Sequence, residues 1–347
     1  MKLANRTPAD DGLFMPAEWE PHAGCWMQWP SRGDVWGEQL PQAYGAYAQV
    51  ARAIARFEPV SMVCRPADAP QARLACGRGV EIVPIEIDDS WARDSGPIFV
   101  IDGKGGVAGV HWRFNAWGNA YQGYENDRKV GASILDRLGM RRYDGPMNFE
   151  GGSICADGYG TLLTTEECLF NDNRNPELSR QQIEERIALY LGVRRIIWLD
   201  QGLEDDETGG HVDMIACFAG PGRVLLHMPD DHGDANFVRM RENKLRLEAA
   251  RDARGQKLEI IEVPQPAINR NRPDGRRLSA SYVNFYIANG GIVMPGFDDP
   301  NDARAKEIVA AAFPDREVVQ VPSLAIAAGG GVIHCITQQQ PKGAPLP

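Results

Sequence analysis

No run in this 347-residue chain approaches the roughly 20 consecutive apolar residues of a membrane-spanning helix. Residues 1–11 lack the apolar stretch of a secretory signal, so a cytoplasmic protein with no membrane partner is expected. Basic residues are short as well: 37 Lys and Arg against 47 Asp and Glu leave a formal net charge of -10, which argues against a nucleic-acid partner. The seven cysteines are odd in number and scattered, with no Cys-x-x-Cys pair, so they read as buried thiols in a reducing compartment. There is no His-Glu-x-x-His helix either, and no metal site is expected. The nearest substitute, His227-Met-Pro-Asp-Asp-His232, reads as a solvated loop between structural units. No low-complexity linker divides the chain, which is therefore expected to form one unit over 1–347.

What the chain does contain is a steady alternation of helical and strand signals. Tyr47, Val50, Ala51 and Ile54 fall on one helical face. Further helices are expected near 129–139, 180–192, 236–251 and 302–313, each followed by a strand. Expected strands cover 60–64, 82–87, 195–199, 212–218, 224–228, 258–263 and 282–294, the last folded at Ala288-Asn-Gly-Gly291, an Asn-Gly hairpin signal. This gives about five helix-plus-strands units. The Pro-, Asn- and Arg-rich stretch 264–277 reads as an exposed loop and the tail 338–347 as irregular.

Among the cysteines, Cys335 stands apart in Gly329-Gly-Gly-Val-Ile-His-Cys-Ile-Thr-Gln338, where three glycines free the backbone and leave room for a ligand. A thiol there becomes a strong nucleophile if His334 or a distant histidine favours its thiolate; otherwise it is a buried cysteine at a strand start. In Glu207-Thr-Gly-Gly-His-Val-Asp213, strand spacing puts His211 and Asp213 on one side, as a proton shuttle beside a carboxylate, a structural pair or two metal ligands. Trp91-Ala-Arg-Asp-Ser-Gly-Pro97 carries Asp94 in a loop, where a carboxylate can grip a planar guanidinium or merely pair with Arg93 at the surface. Glu150, ahead of a glycine pair, caps backbone amides or orients a catalytic group.

Taken with Met15-Pro-Ala-Glu-Trp-Glu-Pro-His22 and Phe114-Asn-Ala-Trp-Gly118, these motifs run through nearly the whole chain in one order, and the sequence resembles the agmatine deiminase and Porphyromonas-type peptidylarginine deiminase family of the guanidine-modifying pentein superfamily. The resemblance implies an α/β pentein propeller of five pseudo-symmetric ββαβ units. It also implies Cys335 as nucleophile, His211 as general acid/base, Glu150 as its support, and Asp94 and Asp213 as the carboxylates holding the guanidinium. The sequence departs from the family pattern at Gly209, where Asp or Asn is usual, and at Val332, where Asn is common.

The implied activity is hydrolysis of agmatine to N-carbamoylputrescine and ammonia within polyamine (putrescine) biosynthesis, through a covalent Cys intermediate and with no metal or organic cofactor. The partner is a small cationic guanidinium substrate, and the family suggests a homo-oligomer. A bare distal ammonium calls for aromatic or acidic groups such as Trp91 or Trp117, whereas free arginine calls for arginines at its carboxylate. Deimination of arginine or peptidyl-arginine, an amidino transferase, and a non-catalytic protein binding cationic metabolites are the alternatives.

Overall fold

Helices begin and end where side chains and glycines supply the missing backbone partners. In the computed structural model, which describes residues 6–272 and 275–347, the Arg180–Leu191 helix opens on a reciprocal Ser179/Gln182 capping box and closes at Gly192, with φ +66°. The Asp127–Leu138 helix likewise ends on left-handed Gly139, and Asp234 caps the Ala235–Ala249 helix by accepting from Asn236 N. Leu40–Ile54 and Asp302–Ala312 complete the set of long helices.

The strands are β1 (His22–Gln28), β2 (Val60–Cys64), β3 (Val80–Pro84), β4 (Ile98–Ile101), β5 (Gly106–Arg113), β6 (Arg142–Asn148), β7 (Cys155–Ala156), β8 (Thr161–Thr165), β9 (Arg195–Leu199), β10 (Ala216–Gly220), β11 (Arg223–Met228), β12 (Glu259–Pro264), β13 (Tyr286–Ala288), β14 (Gly291–Gly296), β15 (Glu317–Pro322), β16 (Thr337–Pro341) and β17 (Ala344–Pro345). They form five sheets of one pattern. An antiparallel pair comes first: β4–β5, β7–β8, β10–β11 and β13–β14. A long helix follows, and the next strand returns parallel to the second: β6, β9, β12 and β15. The fifth sheet repeats the pattern with the two ends of the chain, β16 antiparallel to β1 and β1 parallel to β2. Parallel pairing needs such helical crossovers. Helix and sheet faces enclose a core including Trp29, Tyr47, Tyr282 and Phe297, all wholly buried, each side chain stabilising the fold by about 1.5–3 kcal/mol. No helix among the described residues is long and apolar enough to cross a membrane.

Several expectations need correction. The strand expected over 82–87 is Val80–Pro84: one further ladder bond, Ile85 N to the Cys64 carbonyl at 3.0 Å, follows it, and Ile85 and Ile87 then pack into the core. The run 212–218 is not one strand, because Val212–Met214 turns as a 3-10 helix before β10. Residues 282–283 form a turn and 284–285 are irregular ahead of β13. In both places every apolar side chain but the half-buried Cys217 is buried, and a run buried on nearly all sides carries no alternation from which to separate strand from turn. The tail is ordered into β16 and β17, the latter parallel to β5. The loop 264–277 carries an Asn271–Arg277 bridge, with residues 273–274 outside the described set. His227 lies buried in β11 against Ser281 and Gln265, its pKa pushed down to about 4 chiefly by burial, while His232 is exposed and stacks on Phe237.

The hairpin at Ala288-Asn-Gly-Gly291 forms as expected, Ala288 opposite Gly291.

Candidate active site

Each sheet contributes from the same place, the turn just before its first strand. Asp94 precedes β4, Glu150 precedes β7, Asp213 precedes β10, Asn284 precedes β13 and Cys335 precedes β16. The polar groups therefore sit at ends of strands, where the backbone leaves its ladder and side chains can converge.

The convergence is tightest over Gly152. A Cβ there would stand 2.5 Å from His211 Nδ1, 2.9 Å from Asp213 Oδ2 and 3.0 Å from Asp94 Oδ1, so only glycine lets the three groups meet. Asp94 Oδ1 accepts from Gly152 N at 2.9 Å, and its Oδ2 accepts from Trp117 Nε1 at 3.0 Å. Asp94 and Arg93 are both buried, which excludes the surface pair considered from sequence; Arg93 turns away to Glu18. Trp117 is held at φ +54° between Ala116 at +51° and Asn119 at +62°. Non-glycine residues in this region cost of order 1–3 kcal/mol each and persist where their surroundings fix them.

His211 is wholly buried. Its backbone N–H donates to Asp206 Oδ2 at 3.1 Å, its Nε2 lies 3.6 Å from Glu150 Oε2, and its Nδ1 lies 3.9 Å from Asp94 Oδ1. His211 and Asp213 meet the site from the 3-10 turn, not from strand spacing. Glu150 Oε1 accepts from Arg174 Nε at 2.8 Å. Gly209 has φ +72°, a conformation that Asn and Asp tolerate best after glycine, so the family's polar residue and this glycine answer the same backbone demand. Val332 is buried and offers the Cys335 thiol its backbone.

Cys335 Sγ receives a hydrogen bond from Asn284 Nδ2 at 3.3 Å and lies 3.6 Å from Asp213 Oδ2. Of the three preceding glycines only Gly330 needs positive φ, +109°. A Cβ on Gly331 would stand 3.1 Å from the Cys335 sulfur and 2.6 Å from the Trp91 ring. Cys335 opens into a narrow cavity walled by Trp91, Asp94, Trp117, Tyr121 and Glu207. Glu207 accepts from Tyr121 Oη at 2.9 Å and pairs with Arg272 and Arg276.

Burial, then the carboxylates of Asp213 and Asp94, push the Cys335 thiol well above its ordinary pKa. Burial would lower the His211 pKa, yet Asp94, Cys168 and Glu150 carry it well above the histidine value. Asp94 is raised to about 6, by burial first and then by Asp213 and Glu150 against the opposing pull of His211. Glu150 goes the other way: burial raises it, but Arg174 and His211 outweigh that. The resting site thus pairs an imidazolium with a thiol. Donor atoms of Glu150, Cys168 and His211 lie within 4.8 Å of one another, a set that a soft cation could use; the Arg174 guanidinium already supplies positive charge there.

All seven residues singled out from sequence, Cys335, His211, Glu150, Asp94, Asp213, Trp91 and Trp117, lie at this one site. Sequence reasoning missed Asn284, Arg174, Tyr121, Glu18 and Glu207. Glu18 and Glu207 stand inside quoted motifs, and their charge was the available signal.

A sequence model of the Porphyromonas-type peptidyl-arginine deiminase family matches residues 14–341. The chain is 48% identical to an agmatine deiminase of Pseudomonas aeruginosa over 98% of this chain and 99% of that protein. It is 46% identical to the agmatine deiminase of Ectopseudomonas mendocina, with 98% and 99% covered. A solved agmatine deiminase of Enterococcus faecalis superposes with a TM-score of 0.95 at 36% identity, covering 98% of this chain and 99% of that one.

Proposed function

From the premise that the chain belongs to the Porphyromonas-type peptidyl-arginine deiminase family, we propose that it is an agmatine deiminase with Cys335 as its nucleophile. The observation that carries this reading is the convergence of His211, Asp213 and Asp94 over Gly152, with the Cys335 sulfur 3.6 Å from Asp213 Oδ2 and sharing a cavity with Asp94. The five sheets would stand as ββαβ units about a pseudo-fivefold axis, the whole of 1–347 forming one catalytic unit.

A guanidinium seated between Asp94 and Asp213 is fixed in plane by paired charge-assisted hydrogen bonds. Asp213 Oδ1 is buried without a hydrogen-bond partner among the described residues and is available for one. The bound cation offsets the two carboxylate charges that hold the Cys335 thiol up, so substrate binding itself favours the thiolate, the thiol proton leaving to solvent because His211 is already protonated. Sulfur then attacks the guanidinium carbon at close range. The His211 imidazolium gives its proton to the departing ammonia, leaving an amidino-thioether on Cys335. Neutral His211, steadied by Glu150, takes a proton from the attacking water; collapse of the adduct, with its hydroxyl proton passing to the sulfur, restores the Cys335 thiol and frees N-carbamoylputrescine.

Trp91, Trp117 and Glu207 in the cavity wall suit a bare ammonium, by cation–π contact and ion pairing. Arg272 and Arg276 beside Glu207 give an arginine carboxylate a second reading. A cytoplasmic, homo-oligomeric enzyme of putrescine synthesis completes the proposal. Ammonia and ureido-product release from agmatine, arginine and a blocked arginyl peptide tests it. Agmatine is expected to be turned over with the highest kcat/KM, and preference for arginine or the peptide would overturn the substrate.

A further inference from the structure

His334 and Cys335 are consecutive, yet their side chains leave the turn toward different cavities. Cys335 opens into the cavity with Asp94 and Trp117. His334 lines another, with Glu18, Trp19, Cys155, Cys217 and Asp213 among its walls. Asp213 joins the two: its Oδ2 lies 2.8 Å from His334 Nδ1 and 3.6 Å from Cys335 Sγ. On the far side of the ring, His334 Nε2 lies 3.0 and 3.1 Å from the two oxygens of Glu18. Arg93 closes the group, Nη1 3.4 Å from Glu18 Oε1 and Nε donating to the His334 carbonyl at 3.3 Å. All four side chains are buried.

An ionised carboxylate only accepts hydrogen bonds, so a ring with a carboxylate at each nitrogen satisfies both by carrying both protons. As an imidazolium bonded on both sides, His334 cannot rotate without breaking a charge-assisted bond. Asp213 Oδ2 is thereby tied, and Oδ1, which has no partner among the described residues, is left for the reaction side.

From this geometry we infer that Glu18 and His334 form a positioning pair for the reaction: Glu18 holds His334, and His334 holds Asp213 with one oxygen beside Cys335 and the other toward the guanidinium. The inference deepens the deiminase reading and rests on it. Neither residue touches substrate; both act through Asp213.

The groups facing His334 are Asp213 from the 212–214 turn, Glu18 from the segment before β1, Arg93 from the short Ala92–Ser95 helix, and the Cys155 and Cys217 thiols of the shared cavity. Burial and Arg93 press the His334 pKa down, but Glu18 and Asp213 carry it above the histidine value. Burial would raise Glu18, and His334 and Arg93 instead hold it at about 2. Removing the Glu18 charge should therefore let His334 lose its proton at lower pH.

The test is the pH profile of kcat/KM for agmatine in wild type, Glu18→Gln and Glu18→Asp. Glu18→Gln is expected to stay within about threefold of wild type near pH 6.5 and to fall about tenfold or more by pH 8.5, one pH unit of displaced titration being a factor of ten. Glu18→Asp keeps the charge and is expected to keep the alkaline limb, with kcat lowered by the shorter reach. One equivalent of iodoacetamide taken up at Cys335 in each variant certifies an intact nucleophile. A uniform loss in Glu18→Gln across the pH range, no loss at all, or a limb displaced in Glu18→Asp would overturn the inference alone. Absence of agmatine turnover in wild type would overturn the function and the inference together.

Discussion

Charge arithmetic at single residues governs this site. Cys335 is a thiol at rest because it is buried and because Asp213 and Asp94 stand beside it. Asp94→Asn removes one of those anions, so the thiol pKa falls, and iodoacetamide at pH 8 should alkylate Cys335 faster than in wild type, as read by mass spectrometry. The same substitution removes half of the proposed guanidinium clamp, and kcat/KM for agmatine should drop by about 10²-fold or more, of order 3 kcal/mol of transition-state binding. Slower alkylation would mean that Asp94 does not act on the thiol electrostatically. The residues of the site were legible as chemistry-bearing types in unusual contexts: a cysteine after three glycines, a histidine two positions from an aspartate. Their partners were not. Glu18 and His334 lie 316 positions apart, and Asp213 and His334 lie 121 apart, so nothing local to any of them announces the bond.

The elements matter through the turns that end them. Thr165, the last residue of β8, accepts from Cys168 N at 3.2 Å and donates to the Gly210 carbonyl at 2.6 Å, tying the end of a strand to the residue before His211. Thr165→Val keeps the shape and removes both bonds, leaving buried backbone groups unmet at a cost of about 1–3 kcal/mol. Differential scanning calorimetry should report a lower Tm, and kcat should fall more than KM changes, because His211 loses its anchor. An unchanged kcat would show that Asp206, bonded to His211 N, holds the loop alone. Most long helices and the Asn-Gly hairpin could be read from periodicity and turn chemistry. The turns at 212–214 and 282–283 could not, since Val212, Met214, Tyr282 and Val283 are all buried and give no alternation. The first of those turns carries Asp213, and Asn284 directly follows the second.

Across the whole molecule, the repetition of one sheet pattern is what gathers residues 94, 150, 213, 284 and 335 at equivalent turns. The fifth sheet needs both ends of the chain, β16 beside β1, which is why the tail read from composition as irregular is structural. Composition showed polar and proline residues there; it could not show the strand that Thr337–Pro341 finds more than 300 positions away. The molecule also carries a net charge of -10. Its field should draw in a dicationic substrate, so kcat/KM for agmatine is expected to fall as ionic strength rises from about 0.01 to 0.15 M, where the screening length shrinks from about 30 to 8 Å. A flat salt dependence would leave binding to the local groups of the cavity.

The central claim is covalent catalysis at Cys335, and acid-quenched mass spectrometry during agmatine turnover addresses it most directly. The account predicts a transient adduct of agmatine less ammonia on the peptide containing Cys335, absent in Cys335→Ala, which should also release no ammonia. Steady ammonia release from Cys335→Ala, or an adduct on another residue in wild type, would contradict it.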